Sequence, residues 1–226
     1  MTLPRVACVI PALNAAPTLA AVIAGVRAAI ENVYVIAVDD GSADSTGAVV
    51  MAHADGKILC RRNAGKGAAL RAGFVAALTQ QPDAILTIDA DGQHEPAFAP
   101  ALIDALQHAD VAIGARARSA SMPAGRRLTN RLSALAVRYC VGRPIEDAQS
   151  GFRAIRPNVV AQVQPKGNRY EFETEFLILA ARRGYTISFV NIPTTYGTPV
   201  PSQFRPIRDS ARIVKTLWKF GMGASH

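Results

Sequence analysis

The sequence predicts one α/β domain, with a doubly wound, mostly parallel sheet flanked by helices. Three observations lead to this prediction. Short apolar runs alternate with helical patterns along the first 114 residues. The runs are rich in Val and Ile and lack polar alternation, which is typical of strands buried on both faces. The chain has 226 residues, of which 50% are hydrophobic, so one full core can form.

The predicted strands of the first half cover residues 5–10, 33–38, 57–60, 84–88 and 111–114. The predicted helices between them cover residues 17–30, 45–53, 66–80 and 96–108. Pro17 and Pro96 suit a first helical turn, because the N–H that proline lacks would have no partner inside the helix. Strand, helix and strand repeated in this way give the doubly wound arrangement.

The second half is less regular. We predict helices near 126–141 and 173–183, a turn-rich segment at 147–153, a strand at 186–192 and a last helix at about 207–220. No apolar run approaches the roughly 20 residues of a membrane-spanning helix, and the first residues lack the longer apolar region of a signal peptide. We therefore expect a cytoplasmic protein.

Charge is distributed unevenly along the chain. Residues 1–113 hold 7 Lys and Arg against 11 Asp and Glu, whereas residues 114–226 hold 18 against 6. An acidic first half suits metal binding, and a basic second half suits an anionic partner. No nucleic-acid-binding motif accompanies the basic charge, so we expect no nucleic acid partner.

Asp89 and Asp91 follow the fourth predicted strand, at the edge where doubly wound sheets bind ligands. Two positions apart, their side chains point to the same side. Two close carboxylates repel each other unless a cation lies between them, and Mg²⁺ or Mn²⁺ together with substrate phosphates meets that need. Gln93 offers a third oxygen, and His94 is either a further ligand or a plain loop histidine. The alternative is that both aspartates are simply solvated.

Asp39-Asp40-Gly41-Ser42 is a second acidic cluster, at the end of the second strand. One carboxylate can accept hydrogen bonds from a base or a ribose, as acidic residues at such strand ends do elsewhere. Turn and cap chemistry is the alternative. It accounts for Gly41 and for Asp44 or Ser45 before the next helix, but not for two adjacent acids.

The segment Asn63-Ala-Gly-Lys66-Gly67 opens a helix. Its glycines allow close backbone approach, and the helix N-terminus with Lys66 favours phosphate. The segment is not a Rossmann fingerprint, because Leu70 stands where the third glycine would be and because it follows the third strand instead of the first.

Taken together, these segments resemble the family 2 glycosyltransferases of the GT-A fold, especially the dolichyl- or polyprenyl-phosphate sugar synthases. The matching pieces also include Ile10-Pro-Ala-Leu-Asn14, Gly114-Ala-Arg116, Asp147-Ala-Gln-Ser-Gly-Phe-Arg153 and Glu171-Phe-Glu-Thr-Glu175. Their order and spacing extend over residues 5–192. One departure stands out, since the family usually has Asn-Glu where this chain has Asn14-Ala15.

The resemblance implies roles for particular residues. Pro11, Asp39 and Asp40 would contact the nucleotide of a nucleotide-sugar. Asp89, Asp91 and Gln93 would hold Mg²⁺ or Mn²⁺ against its diphosphate. Arg116 and Arg153 would face phosphates of the donor or the acceptor. The remaining residues expected on the nucleotide side are Asn14, Ser42, Asn63, Lys66 and Gly67.

The implied reaction is direct displacement with inversion at the sugar carbon, in which the metal neutralises the departing diphosphate. A hydroxyl acceptor would need a general base, for which Asp147 is the candidate. A phosphate acceptor is already ionised near neutral pH and would need cations instead. The second half supplies these cations in Arg116, Arg118, Arg126, Arg127 and Arg131. Lipid phosphate is therefore the favoured acceptor, with a sugar or other hydroxyl as the alternative. A nucleotide-sugar-binding protein without catalysis is a third hypothesis, raised by Ala15.

We expect residues 1–206 to form the glycosyltransferase domain, with a nucleotide and metal half of about 1–116 and an acceptor half of about 117–206. Residues 207–226 would add a basic amphipathic helix. Its basic residues recur at helical spacing, at Arg208, Arg212, Lys215 and Lys219. Such a helix with Trp218 can lie on an anionic membrane, so a peripheral location on the cytoplasmic face is expected. The alternative is that its apolar face packs on the domain.

Overall fold

The computed structural model describes residues 4–116 and 145–193, together with the single residues Arg138, Gly142 and Phe220. The strands are β1 Val6–Ala12, β2 Val33–Asp39, β3 Gly56–Leu59, β4 Ala84–Thr87, β5 Val111–Arg116, β6 Arg153–Ile155 and β7 Ile187–Ile192. The helices are α1 Ala16–Ala29, α2 Thr46–His53, α3 Lys66–Thr79, α4 Ala99–Ala105, α5 Pro157–Gln162 and α6 Glu171–Arg182. A short 3-10 helix, Pro96–Phe98, leads into α4.

Within the described residues, the strands form one sheet in the order β3-β2-β1-β4-β6-β5-β7. Neighbouring strands run parallel, except that β6 is antiparallel to both β4 and β5. This arrangement confirms the predicted mostly parallel sheet in a single α/β domain. It also places the carboxyl ends of β1, β2 and β4 at the same edge.

Helices cover both faces of the sheet, as predicted. On one face, Leu19 of α1 and Leu102 of α4 are fully buried in a cluster that includes Cys8 of β1. On the other face, Phe74 of α3 and Phe176 of α6 share a cluster with neighbouring side chains of the same sheet. Residues of β1 alternate between the two clusters, which explains why this strand is apolar at every position.

Two elements were not predicted from the sequence, β6 and α5. β6 has only three residues, so it carries almost no periodic signal. The expectation that every strand is buried on both faces is wrong at the edge, where Leu59 of β3 is 51% exposed. β3 has a neighbour on one side only and alternates between exposed and half-buried residues.

Several predictions fall outside the described residues. They include the helix at 126–141 apart from Arg138, the last helix apart from Phe220, and the side chains of Arg116, Arg118, Arg126, Arg127 and Arg131. Phe220 contacts α6, because its carbonyl accepts a hydrogen bond from Arg182 and its ring lies 5.2 Å from that guanidinium. In the described part of the chain, no helix combines the length and apolar character that a membrane crossing requires.

Candidate functional site

The loops that follow β1 and β2 are bonded to each other at the carboxyl edge of the sheet. The Asn14 backbone N–H donates to Ser42 Oγ at 2.9 Å, and Asn14 Oδ1 accepts the N–H of Ala43 at 2.9 Å. Asn14 has a φ of +49°, a conformation that asparagine tolerates better than most residues. Pro11 is buried within β1, whereas Asn14 is exposed on the loop. The two loops thus form one surface at this edge.

Asp44 joins the first turns of α1 and α2. Its Oδ2 accepts the N–H of Ala16 at 3.3 Å, and its Oδ1 accepts the N–H of Thr46 at 3.0 Å. The Thr46 hydroxyl accepts the N–H of Ala15 at 2.8 Å. Burial opposes ionisation of Asp44, but hydrogen bonds from Thr46 and Ala16 outweigh it and hold the pKa of Asp44 below its usual value. Of the two predicted cap candidates, Ser45 occupies the N-cap position of α2 without a side-chain hydrogen bond, and Asp44 accepts the first N–H groups of both helices.

Ala15 occupies the position at which the resemblance leads us to expect glutamate. It is 2% exposed, and neither Ala15 nor the first turn of α1 provides an acidic side chain. The carboxylate beside the N-terminus of α1 is that of Asp44. A neighbouring loop thus supplies negative charge close to the place where the usual glutamate is missing.

Asp39 and Asp40 are both buried at the end of β2, at 7% and 3% exposure. Asp39 Oδ1 accepts the N–H of Ser42 at 2.9 Å and closes the turn after β2. The two Asp40 oxygens accept the N–H groups of Ala64 and Gly65 at 2.8 and 2.7 Å. Asp40 therefore links the end of β2 to the loop before α3. Its predicted contact with the nucleotide stays a prediction.

The N-terminus of α3 is covered by protein. The N–H of Gly67 donates to the Asn168 carbonyl at 2.8 Å, and the N–H of Ala68 is shared between the carbonyls of Gly65 and Asn168. A Cβ at Gly67 would lie 2.6 Å from the Gly167 carbonyl oxygen, so glycine allows the 165–170 loop to approach this closely. The N–H groups of Gly67 and Ala68 thus already donate to a protein carbonyl at the place where the sequence predicted phosphate. The predicted contacts of Asn63, Lys66 and Gly67 with the nucleotide stay predictions.

Two glutamates and an arginine hold the 165–170 loop in place. Glu175 Oε2 accepts the N–H groups of Lys166 and Gly167 at 3.0 and 2.7 Å. Glu171 Oε1 accepts those of Asn168 and Arg169 at 3.1 and 3.3 Å. Arg71 of α3 donates to the carbonyls of Pro165 and Gly167 and to the Asn168 side chain. Sequence reasoning had only the spacing of the glutamates, which could not reveal what they bind.

Lys66 lies between two carboxylates. Its Nζ is 2.7 Å from Asp89 Oδ1 and 2.8 Å from Glu173 Oε1. The Tyr170 ring centroid is 5.6 Å from the same nitrogen. Burial alone would lower the pKa of Lys66, but the charges of Asp89 and Glu173 outweigh it and raise that pKa well above its usual value. Lys66 is therefore a fixed positive charge inside the site.

Asp89 and Asp91 lie on a turn that is tied to its neighbours. The Ala90 carbonyl between them accepts the Thr18 hydroxyl at 2.6 Å, and Asp91 Oδ1 accepts the N–H of Gln93 at 3.0 Å. A Cβ at Gly151 would lie 2.6 Å from Cγ of Asp89, so the 147–153 turn packs directly on that carboxylate.

Metal ligation needs more than the described side chains. Among the described residues, no three His, Cys, Asp or Glu side chains form a group that could hold a metal ion. Asp89 and Asp91 provide two carboxylates, and Gln93 provides an amide oxygen close to them in the sequence. His94 is buried beside the Phe152 ring, with 5.6 Å between the ring centroids. Hard cations such as Mg²⁺ commonly take one or two protein carboxylates and complete their shell with phosphate oxygens and water.

The 147–153 turn, which contacts Asp89 at Gly151, carries Asp147 and Arg153. Asp147 Oδ1 accepts the N–H groups of Gln149 and Ser150 at 3.0 and 3.1 Å, and the residue is 6% exposed. Arg153 is 3% exposed and donates to the carbonyls of Ser150, Glu173 and Ala148. The predicted contact of Arg153 with a phosphate stays a prediction. The guanidinium of Arg153 joins the turn to α6.

The chain is similar to transferases that act on lipid phosphates. The family model described as "Glycosyl transferase family 2" matches residues 7–163. Undecaprenyl-phosphate mannosyltransferase of Micrococcus luteus is 31% identical over 206 residues, covering 85% of this chain and 83% of that protein. Polyprenol monophosphomannose synthase of Mycolicibacterium smegmatis is 31% identical over 208 residues, covering 85% and 77%. Dolichol-phosphate mannosyltransferase of Pyrococcus furiosus is 29% identical over 206 residues, covering 85% and 56%.

Solved structures share the fold. Glucosyl-3-phosphoglycerate synthase from Mycobacterium tuberculosis, crystallised with Mn²⁺, UDP and glucosyl-3-phosphoglycerate, superposes with a TM-score of 0.75 at 24% identity. The match covers 97% of this chain and 80% of that one. A second mycobacterial protein gives a TM-score of 0.80 at 21% identity, covering 97% and 75%. At these identities the similarity shows the fold alone.

Proposed function

This chain belongs to glycosyltransferase family 2, and from that membership we propose that it moves a sugar from a nucleoside-diphosphate-sugar to a polyprenyl phosphate at a membrane surface. One observation carries the proposal: two acidic pairs, Asp39–Asp40 and Asp89–Asp91, follow the parallel strands β2 and β4 on either side of β1. This carboxyl edge is where doubly wound sheets bind nucleotides. This arrangement supports a donor site at the carboxyl edge of the sheet.

The names of the relatives support the acceptor. Three of them, at 29 to 31% identity over 85% of this chain, are named for transfer to undecaprenyl, polyprenol or dolichol phosphate. All three names also specify mannose, which makes a mannosyl donor the first to test. Mannose and the choice between UDP and GDP are parts of the proposal that transfer assays must decide.

The residues present fit a divalent cation on the donor side. Asp89 and Asp91 provide carboxylates from one turn, Gln93 provides an amide oxygen, and oxygen ligands are those that Mg²⁺ and Mn²⁺ prefer. Gly151 leaves space for the Asp89 carboxylate that any side chain would fill. When bound, the cation would supply Lewis-acid stabilisation of the diphosphate leaving group. We assign Asp89, Asp91 and Gln93 to hold it.

The surroundings of Asp147 support a phosphate acceptor over a hydroxyl acceptor. A hydroxyl must lose a proton to a general base, whereas a polyprenyl phosphate is already ionised near neutral pH. The only candidate base from the sequence is Asp147, yet its Oδ1 accepts two backbone N–H groups and the residue is 6% exposed. This carboxylate fits a turn-forming role. The displacement would then invert the sugar carbon, with the acceptor phosphate as the attacking group.

Membrane contact would complete this function, because the acceptor is a lipid. The basic residues of 207–219 provide charge for an anionic surface at the cytoplasmic face. At Phe220, the contact with Arg182 supports the alternative that the end of this segment packs on α6. Both descriptions are compatible if the basic side chains face lipid while the apolar ones face the domain.

Two measurements on the purified protein test the proposed function. The first is thermal melting with UDP, GDP and other nucleotides, each with and without Mn²⁺. We expect one nucleotide to raise the Tm only when Mn²⁺ is present, which identifies the base. The second is sugar transfer from the matching donor to undecaprenyl phosphate, with undecaprenol as the acceptor lacking phosphate. Product with the phosphate alone supports the proposal, and equal product with undecaprenol contradicts the phosphate acceptor.

A pair of variants tests the metal ligand in the same assays. Asp91→Asn should abolish turnover in a folded protein, because an amide is a weaker ligand for a hard cation than a carboxylate. Asp104→Asn changes the same functional group on the exposed face of α4 and should keep full turnover. Near-normal turnover of Asp91→Asn would remove the metal site from the proposal.

A further inference from the structure

We propose that Lys66 and Glu173 are positioning residues, which hold the Asp89 carboxylate in the orientation that binds the divalent cation. The proposal rests on the proposed function, since it takes Asp89 and Asp91 as metal ligands. It adds two residues from α3 and α6, neither of which provides an oxygen to the cation. It also gives a purpose to the Glu171-Phe-Glu173-Thr-Glu175 motif, which the donor site alone leaves unexplained.

The three charged groups form a short chain. Asp89 Oδ1 is 2.7 Å from Lys66 Nζ, and Glu173 Oε1 is 2.8 Å from the same nitrogen. The Lys66–Asp89 distance is that of a charge-assisted hydrogen bond. The Lys66–Glu173 contact is an ion pair, since Glu173 Oε1 has no hydrogen-bond partner among the described residues. The Lys66 side chain is 15% exposed and that of Glu173 is 3% exposed, so water screens the contacts little. One carboxylate oxygen of Asp89 thus has its direction fixed by Lys66.

The other sides of Asp89 leave little room for movement. The 147–153 turn packs against this carboxylate at Gly151. The next residue, Ala90, is anchored to α1 through its carbonyl and the Thr18 hydroxyl at 2.6 Å. With Lys66 on one side and Gly151 on another, the carboxylate is held as a metal ligand is usually held, by partners outside the first coordination sphere.

Glu173 balances the charge that this arrangement introduces. A lysine next to a cation site repels the cation unless its own charge is offset. Glu173 supplies that offset from a position that is 2% exposed. Neither carboxylate oxygen of Glu173 has a hydrogen-bond partner among the described residues, so the ion pair with Lys66 is its charged contact there. Glu173 lines a cavity of about 10 Å³, close to the space that one water molecule needs. A buried carboxylate kept at such cost points to a role beyond packing.

Glu171 and Glu175 stabilise the backbone next to Lys66. Glu171 and Glu175 hold the 165–170 loop through four backbone N–H groups. The Asn168 carbonyl of that loop caps the N-terminus of α3, whose first residue is Lys66. All three acids of the motif therefore act on the same place. Two fix the backbone that carries Lys66, and Glu173 fixes its ammonium group.

Binding of Mn²⁺ to the full chain tests the proposal without an acceptor. The free Mn²⁺ concentration can be followed by electron paramagnetic resonance, with UDP or GDP present, whichever gives the melting shift. We expect Glu173→Gln and Lys66→Met each to weaken Mn²⁺ binding by about 10- to 100-fold, the usual effect of removing an outer partner of a metal ligand. Glu31→Gln and Lys57→Met make the same chemical changes at exposed positions and should bind Mn²⁺ as the unaltered protein does.

A double variant separates positioning from general damage. If Lys66 and Glu173 act as one unit, the Lys66→Met/Glu173→Gln protein should lose less affinity than the two single losses combined. Glu173→Gln keeps the side-chain shape, so it provides a folded variant if Lys66→Met does not fold. Unchanged Mn²⁺ affinity in folded variants would overturn the proposal even if their Tm falls, and so would tighter binding by Lys66→Met. If the unaltered protein binds no Mn²⁺ with any nucleotide, the proposed function fails, and this inference with it.

Discussion

Asp40 Oδ2 lies 2.7 Å from the backbone nitrogen of Gly65, and the other oxygen of the same carboxylate accepts the N–H of Ala64 at 2.8 Å. Because Asp40 is 3% exposed, these two contacts hold the loop before α3 against the end of β2. The carboxylate thus shapes the donor site whether or not it also touches the donor. If Asp40 only bound the nucleotide, replacing it would not change the free energy of unfolding of the protein without ligand.

We expect Asp40→Asn to lower the free energy of unfolding by about 1–3 kcal/mol, because the asparagine amide cannot accept both N–H groups. Urea denaturation without ligand measures this change. Asp104→Asn, at an exposed position on α4, is the matched control and should leave stability within about 0.5 kcal/mol. If both variants unfold at the same urea concentration as the unaltered protein, the structural role of Asp40 is wrong.

Asp44 gives a pH-dependent prediction. Its pKa is lowered in the folded state, so its contribution to stability is complete above the unfolded value of roughly 3.9 and is lost as the pH falls through the folded value. Asp44→Asn should therefore destabilise the protein at pH 7, and the difference from the unaltered protein should shrink as the pH falls below the unfolded value. The measurement is the Tm of both proteins across this range. A deficit that stays constant down to pH 3 would contradict the ionised cap.

Gly151→Ala tests the packing of the 147–153 turn on Asp89. The added Cβ would lie 2.6 Å from Cγ of Asp89, so we expect the carboxylate to be displaced and turnover to fall roughly 10-fold or more. Gly184→Ala is the control for lost stability. Gly184 has a φ of +84° after α6, and nothing lies within 4 Å of its added Cβ, so alanine there is strained without touching the site. Equal turnover losses in the two variants would argue against a specific effect at Asp89.

Asp147→Asn distinguishes the two acceptor classes. If the acceptor is a phosphate, the variant should keep measurable transfer, because no proton has to be removed from the attacking group. A hydroxyl acceptor that depends on Asp147 as base should lose about 100-fold or more. The assay is single-turnover transfer at saturating acceptor, which separates chemistry from weaker acceptor binding. A folded but inactive variant would favour the hydroxyl acceptor.

The basic segment after residue 206 gives a prediction about membranes. Changing Arg208, Arg212, Lys215 and Lys219 to Gln should reduce cosedimentation with anionic liposomes, since each basic residue near such a surface contributes about 1 kcal/mol. The control variant removes the same charge elsewhere, by changing four exposed basic residues to Gln: Arg5, Lys57, Arg61 and Arg183. Equal losses would attribute membrane binding to net charge instead of to this segment.

The sequence located most of the secondary structure. Every described strand except β6 and every described helix except α5 was predicted within a few residues of its observed bounds. β6 was not predicted, because three residues are too few to show a periodic pattern. Its position between β4 and β5 depends on pairing between distant parts of the chain. Tertiary pairing of this kind has no local signature.

For the site, the sequence predicted the location of several residues but not their partners. Residue type and strand position located Asp39, Asp40, Asp89 and Asp91 at one edge, but they did not reveal the partners of each carboxylate. Lys66 was assigned to phosphate from its helix N-terminus, and in the structure its partners are Asp89 and Glu173. Glu173 lies on α6, 107 positions after Lys66 in the chain. Only the fold brings such groups together, so sequence reasoning can name the residues before it can pair them.

The reversed direction of β6 has a consequence for how the chain acquires its structure. β5 touches the rest of the sheet through β6, since it pairs with β6 and β7 and not with β4. A nascent chain ending after residue 116 would therefore have β5 complete but without a place in the sheet, and β4 with an open edge. Such edges promote association between incomplete chains. The sheet is therefore completed only when residues 153–155 are available to pair with both β4 and β5.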